Sequence, residues 1–170
     1  YKNSKHIMPI ALNKKILSIA THFYKCKPAL GSCNLRRSSS EYTKDTGTNS
    51  FHRDFNSPVK FIKFFIYLND VTDLNGPFVY VKNSNNKLPL NWKHKHRWSD
   101  DEMIDLYGKN NIIYLTAQYC DLLIATTNGF HKGKRPIEGF RDMLTLNYVI
   151  HPELRGQSSL EEANKFLISI

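Results

Sequence analysis

The sequence predicts a mainly β protein, an antiparallel barrel or jelly roll with a few helices at its flanks. Three observations carry that prediction. Short segments rich in aromatic and β-branched residues recur along the chain, notably 59–68 (VKFIKFFIYL), Phe78–Val81 and 120–125. Turn signals separate them, above all Asn75-Gly76 and Asn128-Gly129. Helical periodicity is confined to the two ends and one central segment.

Taken in order, residues 7–25 place Ile16, Ile19, Ala20 and Phe23 on one helical face, and Pro28 and Gly31 break the segment. Residues 33–37 read as a short strand, and 38–50, rich in Ser, Thr, Asp, Gly and Asn, as a loop. Ser57-Pro58 is a turn signal before the strand 59–68. On that strand Ile62, Phe64, Ile66 and Leu68 form a wholly apolar face, assigned to an outer packing layer. Phe61, Lys63, Phe65 and Tyr67 form the other, assigned to a pocket. A turn through 69–77 leads to the returning strand Phe78–Val81. Residues 82–98 are polar and basic and read as a long surface loop. Ser99 with Glu102 has the capping-box spacing, so 99–107 is a helix stopped at Gly108. Strands follow at 111–115, 120–125 and 141–150, and Pro152 ends the last. Ser158 or Ser159 with Glu161 or Glu162 caps a short final helix.

The 170 residues, 41% hydrophobic and 12% aromatic, suit one globular domain over 1–170 rather than a disordered chain. No apolar run approaches the roughly 18–20 residues of a membrane span, and the start shows no signal peptide. The first residue is Tyr, so the chain is open to N-terminal truncation. Three cysteines without CxxC spacing fit a reduced cytoplasm and give no zinc or disulfide framework. The net charge of +9 leans toward an anionic partner, although a Lys- and Asn-rich composition alone would produce it.

The chemistry concentrates in Phe51-His52-Arg53-Asp54. On an extended segment His52 and Asp54 face the same way. His131 follows about 80 residues later behind a turn, and Arg141 ten residues after that. Two imidazoles and a carboxylate on one face of a metal are the ligand set of a non-haem Fe(II) oxygenase. Singly, each residue has a plainer reading. His131 would pass for a surface histidine, and Arg135 and Arg155 compete with Arg141. His22, His94, His96 and His151 are read as non-ligands. His52-Arg53-Asp54 also matches part of a kinase catalytic loop, but Val59 stands where that loop needs Asn, and no Asp-Phe-Gly is present.

Over residues 30–150 the chain resembles the phytanoyl-CoA dioxygenase-like branch of the Fe(II)/2-oxoglutarate-dependent oxygenases. The resemblance rests on the ligand pattern, on Leu68-Asn69-Asp70-Val71 with Asn75-Gly76-Pro77-Phe78-Val79-Tyr80-Val81, and on Asp121-Leu122-Leu123-Ile124 ahead of Gly129-Phe130-His131-Lys132-Gly133. It departs at Asn83-Ser84-Asn85, where the family often has Gly-Ser-His, and at Cys120, where it often has Gly. The chain is also shorter than the usual member. The resemblance implies a double-stranded β-helix of cupin-like type, with Fe(II) held by His52, Asp54 and His131. Arg141 would grip the distal carboxylate of 2-oxoglutarate, because a planar guanidinium binds a carboxylate in bidentate fashion. Phe65 aligns with an aromatic beside the cosubstrate. The implied reaction is O2-dependent hydroxylation of a small organic substrate with release of succinate and CO2. Asp54 argues against halogenation, which requires Gly or Ala there.

Lys63 and Tyr67 are candidate substrate contacts from the pocket face. Trp92 and Arg97 are candidates from the basic cluster Lys93-His94-Lys95-His96-Arg97, which Trp92 and Trp98 flank; a solvated loop is its plainer reading. Two other functions compete. One is a catalytically silent double-stranded β-helix that binds or senses. The other is a basic nucleic-acid-binding domain, which is not expected; neither is a membrane partner.

Overall fold

The computed structural model describes residues 4–42, 47–54, 62–92 and 94–150. Within these, two antiparallel sheets face one another. The larger has the order β1(Ala29–Ser39)–β7(Phe140–Val149)–β2(Ile62–Tyr67)–β5(Leu122–Ala125). The smaller has the order β4(Ile112–Leu115)–β3(Phe78–Val81)–β6(His131–Gly133). The mainly β architecture with flanking helices is the predicted one.

The central strands bury side chains on both faces, and the alternation of side chains assigns them. On β2, Ile62, Phe64 and Ile66 pair in register with Tyr148, Leu146 and Leu144 of β7. Together they pack outward against Ala11, Ile16, Leu17 and Ala20. Those residues come from α1(Ile7–Ala11) and α2(Lys14–Tyr24). The expected single helical segment is therefore two, divided where the Asn13 side chain accepts the Lys15 N–H as an N-cap. Leu17, not Ile19, completes the buried face: Ile19 is 39% exposed. Tyr24 ties the helix to the sheet, its hydroxyl donating to the Tyr148 carbonyl and accepting from the Ile62 N–H.

The opposite face of β2 looks inward. Phe65 and Tyr67 meet Val71 and Phe78 between the sheets. Behind the small sheet, Val79 and Val81 pack with Phe51, Trp98, Met103 and Phe130. That third layer is closed by α3(Asp100–Tyr107), whose Ser99–Glu102 capping box is present as predicted.

Two loop expectations are corrected. β1 extends through Ser39, because Ser38 and Ser39 find ladder partners in Arg141 and Phe140. Cross-strand pairing there overrides the polar composition. The segment 82–98 is not wholly a surface loop: Trp98 is 4% exposed, pairs with Phe51 in a β-bridge and stacks edge-on against Phe130. Trp98 is thus core and presents no ring to a ligand. The expected strand at 120–125 begins at Leu122, since Cys120 takes a left-handed φ of 70°. The Ser57-Pro58 turn, residues 59–61 of the expected strand, the Pro152 stop and the C-terminal helix lie outside the described residues.

Candidate metal centre

His52 and His131 are brought side by side by the backbone. Each donates its N–H to the other's carbonyl, at 3.0 and 2.9 Å, so the pair forms a bridge that adds the 51–52 segment to the edge of the small sheet. Two residues on, the Asp54 N–H donates to the Thr127 carbonyl at 3.0 Å. The period-two alternation then turns His52 and Asp54 to the same side as His131. One ligand atom from each of the three residues lies within 4.8 Å of the others. Asp54 Oδ2 stands 3.6 Å from His131 Nε2.

The ring orientations suit a cation. His52 Nδ1 lies 3.0 Å from the Ser50 carbonyl, and His131 Nδ1 lies 2.9 Å from that of Gly129. A carbonyl only accepts, so each Nδ1 carries the proton and each Nε2 keeps its lone pair for the centre of the site. Burial lowers both imidazoles below the ordinary histidine value, His131 to about 3 with His52 contributing. They are therefore neutral, as metal ligands must be. Burial alone would raise the Asp54 carboxyl, but His131 and the Lys63 ammonium bring it below its usual value. With His131 neutral, Lys63 is the lasting counter-charge: its Nζ donates to Asp54 Oδ2 at 2.6 Å.

These groups line a cavity of about 450 Å³ between the sheets. Its inner wall on the large sheet follows the strand register. Asn34, Thr145 and Phe65 are aligned across three strands, as are Arg36 and Met143, and Ser38 and Arg141. Arg141 lies at one end and is 4% exposed. Its guanidinium donates to the Gly76 carbonyl and, at 3.2 Å, to Ser38 Oγ. Its Nε–H is buried with no hydrogen-bond partner among the described residues. Burial pulls this cation below its ordinary value, partly offset by Tyr67. A buried guanidinium with an unfilled donor is suited to an anion arriving from the cavity. Gly133 makes room for it: a Cβ on Gly133 would lie 2.8 Å from the Arg141 guanidinium.

The other predicted site residues divide. Phe65 lines the cavity and packs against Phe78 with ring centroids 4.7 Å apart. Lys63 also lines it. Tyr67 does not reach it. Tyr67 is fully buried, its hydroxyl donating to the Leu115 carbonyl and accepting from the Phe78 N–H, so it clamps β2 to the small sheet and has no surface for a substrate. Trp92 lies under the Arg53 guanidinium at 4.7 Å and is not part of the cavity wall. Arg97 is exposed beside Gly47, near enough to lower His52 further. Sequence reasoning missed Asn34, Arg36, Thr48, Met143 and Thr145. The alternation of polar residues at 34, 36 and 38 is a signal for Asn34 and Arg36, masked by the loop-like composition from 38 onward.

No protein-family model matches the chain, and no curated protein does. Solved structures do. EctD from S. alaskensis with bound Fe superposes with a TM-score of 0.70 at 13% identity, over 99% of this chain and 63% of that one. SnoN in complex with Fe3+, alpha ketoglutarate and nogalamycin RO gives 0.67 at 13%, over 87% and 60%. HygX from Streptomyces hygroscopicus with nickel and 2-oxoglutarate bound gives 0.64 at 17%, over 94% and 72%. The chain spans 57–64% of the length of AviO1, SnoK and SnoN, which it also resembles. At such identities the likeness establishes the fold, a double-stranded β-helix.

Proposed function

We propose that the protein is an Fe(II)- and 2-oxoglutarate-dependent oxygenase acting on a small organic substrate. One observation carries the reading. Two neutral imidazoles with free Nε2 atoms and an ionised carboxylate converge on a cavity whose end holds a buried guanidinium with an unfilled donor. His52, Asp54 and His131 would hold the iron and leave positions open for cosubstrate and O2. Arg141 would take the distal carboxylate of 2-oxoglutarate, and Phe65 would pack beside it. Bound iron with 2-oxoglutarate supplies the oxidising power for C–H attack. The protein's residues do the rest. The Ser50 and Gly129 carbonyls fix the imidazole tautomers, and the paired sheets supply the facing walls of the cavity. Iron bound in SnoN, EctD and HygX, and 2-oxoglutarate bound in SnoN and HygX, support the cofactor assignment.

Hydroxylation is the specific reaction we favour, and Asp54 supports it by filling the position a halide would need. The fold relatives include a carbocyclase and an epimerase, so the fold alone does not select among outcomes. The phytanoyl-CoA dioxygenase-like branch remains the assignment that the motif resemblance supports. Net charge favours an anionic substrate in the cytoplasm; no helix among the described residues is long and apolar enough to cross a membrane.

The test is O2-dependent conversion of 2-oxoglutarate to succinate by the Fe(II)-loaded protein. Turnover that disappears in His131→Ala supports the reading. A folded, iron-binding protein that never consumes 2-oxoglutarate across a broad substrate panel refutes it in favour of a silent binding module.

A further inference from the structure

An ion pair reaches across the metal cavity. Lys63 stands on β2 inside the large sheet, with Ala125 of β5 and Asn147 of β7 as its register partners. Asp54 comes from the side of the small sheet, its N–H anchored on the Thr127 carbonyl. The Lys63 ammonium meets Asp54 Oδ2 at 2.6 Å, and the two side chains are only 20% and 18% exposed. Water therefore screens the pair poorly. The oxygen that Lys63 holds is also the one that lies 3.6 Å from His131 Nε2. A positive charge thus rests on the carboxylate atom that stands beside a free imidazole nitrogen.

That charge affects what else can bind. Arg141 brings a second cation to the cavity, donating to the Gly76 carbonyl and the Ser38 hydroxyl rather than to a carboxylate. Asp54 is the one carboxylate among the described lining residues. A divalent ion entering this cavity meets both cations, and it must share or take an oxygen that the ammonium already occupies. Repulsion between such charges in a partly dry cavity is strong enough to change affinity many-fold. A dianion bound beside the metal relieves it.

We propose that Lys63 competes with the metal ion for Asp54, so that the site fills firmly only when an anionic cosubstrate binds along with the metal. The inference rests on the oxygenase reading and adds a residue that couples metal to cosubstrate. Lys63 is a positioning residue, acting on the metal through Asp54. Loss of its charge leaves the carboxylate open to the metal. The carboxylate stays in place without Lys63, because the Thr127 carbonyl and the His52–His131 bridge hold its backbone.

The experiment titrates Mn(II) into the metal-free protein, with and without saturating 2-oxoglutarate, and reads free Mn(II) by electron paramagnetic resonance. Without 2-oxoglutarate, Lys63→Met and Lys63→Gln should each bind Mn(II) about tenfold or more tighter than the wild type. Lys63→Arg keeps the charge and should stay within about threefold of it. With 2-oxoglutarate present, the gain from the neutral variants should shrink by about threefold or more. Circular dichroism checks each fold, and the two neutral variants guard against one that fails to fold. A purely structural ion pair predicts the opposite sign, weaker metal binding when Lys63 is lost. Equal or weaker Mn(II) binding by a folded neutral variant overturns the proposal, as does a Lys63→Arg protein that gains as much as the neutral ones. So does a gain that 2-oxoglutarate leaves undiminished while it tightens Mn(II) binding to the wild type. If 2-oxoglutarate does not alter Mn(II) binding to the wild type at all, the oxygenase reading fails separately, and the titrations without it decide the competition at Asp54 alone.

Discussion

Replacing Gly133 with Ala should damage cosubstrate binding without replacing any residue assigned to bind it. The three atoms nearest the new Cβ all belong to the Arg141 guanidinium, at 2.8, 3.7 and 3.7 Å. Restoring ordinary contact at 3.4 Å requires the guanidinium to retreat by about 0.6 Å, taking the closest approach from the 2.8 Å given above. The guanidinium is the far end of a flexible side chain, so the fold survives; the backbone effect of Gly→Ala is within about 1 kcal/mol. The retreat, however, misaligns charge-assisted hydrogen bonds worth roughly 1.5–3 kcal/mol each. Forfeiting about half of two such bonds predicts a loss of roughly 1.5–3 kcal/mol, or about 10- to 100-fold in 2-oxoglutarate affinity. Anaerobic titration of the Fe(II) protein measures the affinity, and urea unfolding checks the stability. An unchanged dissociation constant in a folded Gly133→Ala protein would refute the placement of 2-oxoglutarate on Arg141.

Cys120→Gly should stabilise the protein. Its φ of 70° costs a side chain roughly 1 kcal/mol more than glycine, and even after glycine's entropy the melting temperature should rise by about 1–3 °C; an unchanged or lower temperature contradicts this. The alkaline limit should be set by buried phenols. Burial raises Tyr24 to about 12, against the pull of the Ile62 N–H, and raises Tyr148, with Cys33 adding to the effect. Both folded values lie above the unfolded value of about 10, so their contribution is complete below pH ~10 and is lost as the pH rises toward and through the folded values. Phenolate absorbance should show these tyrosines ionising only as circular dichroism reports unfolding; ionisation of all nine near pH 10 in a folded protein would contradict it.

The features legible in the sequence were those with a local physical signature. The apolar face of residues 62, 64, 66 and 68 announced the packed outer face of β2 because a strand's alternation is visible in consecutive letters. Ser99 and Glu102 announced α3 for the same reason. His52, Asp54, His131 and Arg141 were legible as a set, and they are neighbours in space. What was hidden depends on partners distant in the chain. Ser38 is strand only because Arg141 lies opposite. Trp98, set among lysines and histidines, reads as surface until Phe51 and Phe130 close over it. Tyr67 shares a strand face with Lys63 and Phe65, but Leu115 and Phe78 claim its hydroxyl, which no strand pattern reveals. Arg36 had the right alternation but no motif around it.

The central claim is that His52, Asp54, His131 and Arg141 form one iron and 2-oxoglutarate site. Anaerobic addition of 2-oxoglutarate to the Fe(II) protein tests it most directly, through the weak visible charge-transfer band that the chelate produces. The account predicts a saturable band in the wild type, one that is lost in Asp54→Ala and needs far more 2-oxoglutarate in Arg141→Ala. A folded, Fe(II)-binding wild-type protein that shows no band at any 2-oxoglutarate concentration would contradict it.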